Sequence, residues 1–162
     1  MEAFATRSYK HIAPPVLVCF IGLSAAGQQQ QPAFQDFSVA KVYKGPHALP
    51  RISSGSAAWQ FRTRIREAAK HPPNFAGHYV LAAWGCGSEC LRYAVIDVVS
   101  GQVYFNNETN MSWWGATLPD HFVPLDFRSS SRLLVLTGAL GGEGRNTTHY
   151  FILRRGRLTP LR

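Results

Sequence analysis

Two cysteines set four positions apart, Cys86 and Cys90, interrupt an apolar stretch and constrain this chain more than any other feature. Residues 79–84 before them and 91–98 after them are apolar runs of strand length. Between the runs lie Gly85, Gly87, Ser88 and Glu89, in a segment rich in turn formers. Two such runs joined by a turn read as a β-hairpin, and the cysteine pair reads as a disulfide that staples its turn. Closing so small a loop is worth only about 2 kcal/mol in chain entropy, so the staple rigidifies a turn more than it holds a domain together.

A disulfide persists in an oxidising compartment, and the start of the chain points the same way. Arg7, Lys10 and His11 precede an apolar run over 16–23, and Ser24, Ala25, Ala26 and Gly27 follow it. Positive flank, short apolar core and small residues at the exit are the parts of a secretory signal peptide. A membrane span needs roughly 20 apolar residues, more than this run supplies. The expected organisation is a signal peptide over 1–27, a flexible lead-in over 28–36 and a single domain over 37–162. Cys19 would leave with the signal, and no cysteine after the small residues offers a lipid anchor. The expected location is outside the cytoplasm, periplasmic or secreted, with no transmembrane span after cleavage.

Hydrophobic periodicity supplies the remaining elements. Residues 37–43 alternate as a first strand, and Ser53 to Ser56 offer caps for a helix over 57–70. Ala58, Phe61, Ile65, Ala68 and Ala69 share one side of that helix, and Arg62, Arg66 and Lys70 line an adjoining solvated stripe. The run 79–84 is apolar on both faces, which predicts a central strand covered on both sides. Further strands are expected at 102–105 and 133–137, with a final hairpin pairing 150–153 and 158–161. Residues 106–131 show no period and read as a long loop, of the kind that is functional or disordered. The sum is an α+β fold: an antiparallel β-meander of about six strands, one N-terminal amphipathic helix packed on it, and a disulfide-stapled hairpin.

After residue 27 the chain carries 15 basic and 8 acidic residues, and 13 of the 17 basic residues in the full sequence are arginine. Such a surface is drawn to anionic partners such as lipid headgroups, wall polymers or nucleic acid, although arginine-rich composition alone also produces it. The charges are dispersed and form no block of the kind that marks a specific nucleic-acid contact.

The run Asn74-Phe75-Ala76-Gly77-His78-Tyr79, with Trp84-Gly85-Cys86-Gly87 and Cys90, resembles a group of small exported bacterial proteins without an assigned activity. Asp97 followed by Ser100-Gly101, and Ser131-Arg132-Leu133-Leu134 leading to Gly138, are similar to later segments of that group. The resemblance covers residues 72–162. It implies an exported, disulfide-bearing, β-rich domain and carries no catalytic residue across.

Candidate chemistry is thin. Redox pairs are typically Cys-x-x-Cys at a helix N-terminus, whereas Cys86 and Cys90 are spaced by three between strands. A zinc site could combine Cys86, Cys90, His78 and one of His71, His121 or His149, but export argues against free thiolates. Neither a metal nor another cofactor is expected. Ser88, His78 and Asp97 form a hydrolase triple on paper only, and Asp97 reads better as a turn residue bonding the amides after it. Residues 138–144 hold four glycines, with Glu143, followed by Arg145; their amides and the guanidinium could cradle a carboxylate or phosphate, or simply form a slack hairpin connection. Trp113 and Trp114 form either a platform for a sugar or a protein partner, or a plug for the end of the sheet. Asn107, Asn110 and Asn146 begin Asn-x-Ser/Thr triplets and mark loop positions.

The expected function is therefore an exported, non-enzymatic binding domain for an anionic or glycan component of the cell envelope, or for a protein partner. Candidate ligand residues are Trp113, Trp114, Glu143, Arg145 and His78. The alternative is an envelope-acting hydrolase centred on His78 and the Cys86–Cys90 loop. An open cleft with a carboxylate near His78 speaks for the enzyme, and His78 buried against the helix speaks for the binder.

Overall fold

The stapled hairpin forms as the residues predict. In the computed structural model, which describes residues 31–105, 111–113, 120–141 and 145–161, β1 (Tyr79–Gly87) pairs antiparallel with β2 (Cys90–Asp97). The register runs from Tyr79 opposite Asp97 to Gly87 opposite Cys90, with a bulge between Gly85 and Gly87. Cys86 and Cys90 are disulfide-bonded with Cα atoms 5.2 Å apart, within the ordinary span for a bridge.

Six further strands follow: β3 (Val103–Tyr104), β4 (Met111–Ser112), β5 (Leu125–Phe127), β6 (Leu133–Leu140), β7 (Thr147–Arg154) and β8 (Arg157–Pro160). They join one sheet in the order β1-β2-β4-β6-β7-β8, with β3 beside β2 and β5 beside β6, and every pairing is antiparallel. Two-residue β4 connects the halves: Ser112 lies opposite both Cys90 and Ala139, and Met111 opposite both Leu91 and Leu140. The approach depends on Gly138, where a Cβ would stand 2.8 Å from the Ser112 carbonyl oxygen.

Strand parity sorts the side chains into two cores. Tyr79 and Leu81 of β1, Tyr93 and Val95 of β2, Met111, Leu125, Leu134, Leu136 and Leu153 enclose one cluster together with Phe75. Both halves of the sheet therefore curl around the same apolar centre. On the outer face Val80, Ala82, Trp84, Ala94 and Ile96 pack against Ala58, Ile65 and Ala69. The last three come from a 3-10 turn (Ala57–Phe61), α1 (Arg62–Ala68) and the residue that ends it.

Several expectations are corrected. Among the described residues there are eight strands where about six are expected, and 111–112 and 125–127 form short strands inside the stretch read as a loop. Residues 138–140, read as the start of a glycine-rich loop, belong to β6. The helix lies in the interior of the chain and is shorter than 57–70. Ser56 Oγ donates to the Ser53 carbonyl at 2.7 Å and caps nothing, and the first turn is 3-10. Residues 37–43 form no strand. Their groups bond separate partners, with Val39 N donating to Ser130 O, Tyr43 N to Gly77 O, and Phe37 O accepting from Arg132 N. Finally, β1 is covered on both faces but stands at an end of the strand order, not at its centre. Among the described residues no helix is long and apolar enough to cross a membrane.

Candidate functional site

The hairpin ladder divides the predicted site residues between two ends of the sheet. One end holds the disulfide. Trp113 sits there, its amide donating to the Glu89 carbonyl at 3.2 Å and its half-buried ring edge-on to Phe122 at 5.5 Å. Trp113 is thus at least partly a plug. Arg145 is exposed just before β7, whose Thr147 lies opposite Gly138, while Trp114 and Glu143 lie outside the described residues. His78 precedes β1 and lies at the other end. Eight residues of strand separate Tyr79 from Gly87, about 26 Å at 3.3 Å per residue. His78 therefore does not join the Cys86–Cys90 loop, Ser88, Trp113 or Arg145 in one site, and the proposed zinc set and hydrolase triple do not assemble.

The resemblance motif builds the His78 end. Phe75 and Tyr79 exchange backbone bonds at 3.0 Å each way, closing a tight loop in which Ala76 and Gly77 take φ of 46° and 86°. Phe75 is fully buried beneath that loop, and His78 is carried out of it with 41% of its side chain exposed. Its Nε2 is 3.9 Å from Asp97 Oδ1, and its ring lies on that of Tyr79 with centroids 4.2 Å apart. Asp97 is the turn residue its sequence context predicts: Oδ1 accepts from the amides of Val99 and Ser100, and Oδ2 from the Ser100 hydroxyl at 2.8 Å.

Around His78 opens a cleft of about 690 Å³. Its apolar lining is Val39, Ala40, Ala76 and Leu153, and its basic lining is Lys41, Arg132, Arg154 and Arg155 with His78 among them. Four separate segments deliver these groups: the irregular strap after Phe37, the 75–79 loop, the approach to β6, and the β7–β8 turn. No carboxylate among the described residues lines the cleft. Among the described residues the ion pairs within 4 Å are Lys70–Glu67 and His78–Asp97, so Lys41, Arg132, Arg154 and Arg155 are not neutralised by a neighbouring acid. Other arginines are engaged elsewhere, Arg62 over the Trp59 ring, Arg92 over Phe61 and Arg128 over Phe34. Burial, with the Asp97 carboxylate and Tyr104 adding to it, pushes the Tyr79 phenol up to about 12, so the one hydroxyl-bearing side chain in the lining holds its proton.

Arg155 occupies an unusual backbone position. Arg154 lies opposite Arg157, leaving Arg155 and Gly156 as a two-residue turn with φ of 49° and 78°. Positive φ at both positions is the type I′ hairpin, in which asparagine or glycine is favoured at the first. Gly156 is required by its neighbour, since any Cβ there would collide with the Tyr104 ring of β3. Nothing in the fold demands an arginine at 155.

By the criterion stated from the sequence the placement of His78 speaks for the enzyme, because it lies in an open cleft with the Asp97 carboxylate 3.9 Å away and is not buried against the helix. The basic cleft itself was missed, except for His78. Its one local signal is an arginine where a two-residue turn favours asparagine. Compared with family models, with curated proteins and with solved structures, the chain matches none.

Proposed function

We propose that this protein is an exported domain that binds an anionic component of the cell envelope in the cleft beside His78. The observation that carries this reading is the lining: Lys41, Arg132, Arg154 and Arg155 converge with His78, and among the described residues no acid lines the cleft, Asp97 standing behind His78. Clefts of one charge sign with low-dielectric walls concentrate ligands of the opposite sign. Arginine suits such a role because its planar fork meets carboxylate or phosphate oxygens in pairs. The anionic branch of the expectation is favoured over the glycan branch, because Trp113 is half-buried against Phe122. Export is supported by the Cys86–Cys90 disulfide and by the order of charged, apolar and small residues over 1–27.

Capture of the purified protein on envelope fractions at two salt concentrations tests the proposal. Binding weakens steeply as salt rises, and Arg154→Gln weakens it further. Capture that ignores both changes overturns it.

One observation favours a second reading, hydrolysis at His78: the open cleft and the Asp97 carboxylate 3.9 Å away. Against it, both Asp97 oxygens are engaged by the 98–100 turn, and the one hydroxyl among the described lining residues is the firmly protonated Tyr79 phenol. Release of fragments from envelope material, abolished by His78→Asn, would establish the hydrolase instead.

A further inference from the structure

Building on the reading of the basic cleft as the binding site, we infer that this cleft and its neighbour form one trough for an extended chain of phosphodiester units. The neighbour is a second cleft of about 450 Å³, lined by Lys41, Tyr43, Lys44, Gly45, His78 and Val99. Lys41 and His78 line both clefts, so the two adjoin each other. Lysines and arginines thus line one cleft (Lys44), the junction (Lys41) and the other cleft (Arg132, Arg154, Arg155), with His78 and its neighbour Asp97 beside the junction. A single small anion needs neither the combined space nor charges so distributed. A ligand whose negative charge repeats along a chain uses all of them.

The apolar part of the lining decides between kinds of chain. The side chains of Val39, Ala40, Ala76, Leu153 and Val99 offer carbon and no hydrogen-bonding group of their own. A 1,4-linked polyuronate carries two hydroxyls per charge, and pressing them onto such a surface leaves them without partners. Phosphodiesters joined by glycerol linkers carry one hydroxyl per charge. Nucleobases need exposed aromatic faces on which to stack. Tyr79 is buried and covered by the His78 ring, and the Tyr43 hydroxyl is tied to the Pro46 carbonyl at 3.0 Å. The trough therefore grips backbone charge, with the partly exposed His78 ring as the aromatic face left open beside it.

The test is titration of the purified protein with a labelled glycerol-phosphate hexamer, with a galacturonate hexamer, a thymidylate hexamer and monomeric glycerol phosphate as the other probes. The expected hexamer affinity falls with salt at a log–log slope of about −3.5, at roughly 0.7 per contact for five lysines and arginines. Lys44→Gln and Arg154→Gln each reduce that slope by about 0.7. The glycerol-phosphate hexamer binds at least about tenfold tighter than its monomer or the galacturonate, and no weaker than the thymidylate, since charge and not stacking supplies the affinity. Equal binding of monomer and hexamer, or sensitivity to Arg154→Gln without sensitivity to Lys44→Gln, overturns the trough and leaves the cleft standing. Galacturonate binding as tightly, or thymidylate binding more tightly, overturns the ligand class alone. Binding of every probe that neither substitution alters overturns the cleft itself.

Discussion

Asn74 and Leu81 are joined twice: the Asn74 side-chain amide donates to the Leu81 carbonyl at 3.1 Å, and the Leu81 amide donates to Asn74 Oδ1 at 2.7 Å. Leu81 stands on β1, at an end of the strand order, where its backbone groups have no strand beyond them. Asn74 acts as that missing strand at one position, and this is the physical content of the first residue in the Asn74–Tyr79 motif. Because Leu81 is buried, removing the amide leaves two unsatisfied backbone groups. Asn74→Ala is expected to cost about 2–4 kcal/mol in urea denaturation, at about 1–3 kcal/mol per orphaned group with partial relief by water. Asn74→Asp, which keeps the acceptor, costs less. Equal effects of the two would show that the paired bonds are not what holds this edge.

Trp84 anchors the outer core. Its ring lies 5.1 Å from that of Phe61 and 5.8 Å from that of Phe105, and it is buried as the apolar run around it predicts. Trp84→Ala removes a large side chain between β1 and the helical layer, at a cost of about 3–5 kcal/mol. An unchanged melting temperature would mean that the two layers do not depend on this contact.

The disulfide closes a loop of five residues, so its removal is expected to matter little to global stability. Replacing Cys86 and Cys90 together by serine costs about 2 kcal/mol by chain entropy. Alkylation followed by peptide mapping should label neither cysteine before reduction and both after it. Labelling without reduction would remove the stapled turn, and with it one support for export.

Much of this fold was legible because it is local. The β1–β2 hairpin is written in two apolar runs and the turn residues between them, and the β7–β8 hairpin in Arg155-Gly156 between apolar runs. β4 and β5 were not legible, since two or three residues carry no period and their pairing is set by where β2 and β6 already lie. Residues 37–43 mislead because Phe37, Val39 and Tyr43 are partly covered while their backbone groups reach separate loops. The basic cleft is the extreme case. Lys41, His78, Arg132 and Arg154 come from four segments, and only the chain's return past the 75–79 loop gathers them.

Tyr79 gives the fold a pH dependence whose sign follows from its phenol, raised from 10.0 to about 12 chiefly by burial. Below pH 10 both folded and unfolded chains keep the proton and the contribution to stability is complete. Between pH 10 and 12 the unfolded chain releases its proton first, so stability falls as pH rises. Stability measured across that window should decline less in Tyr79→Phe than in the parent. A spectrophotometric titration in which every tyrosine ionises near pH 10 would contradict the burial of this phenol.

Arg155 sets stability against binding. At φ 49° it holds a left-handed conformation that disfavours a branched or bulky L-residue and that asparagine tolerates better. Arg155→Asn should therefore raise stability by about 0.5–1 kcal/mol in the same denaturation assay. The same change removes one of the guanidiniums lining the cleft and should weaken capture by envelope material. Arg155→Lys keeps both the charge and the strained backbone, so it should leave stability near that of the parent and reduce capture less than asparagine does. If Arg155→Asn is more stable and is captured as well as the parent, the strain at this turn serves no ligand. The binding contribution must then come from Lys41, Arg132 and Arg154 without it.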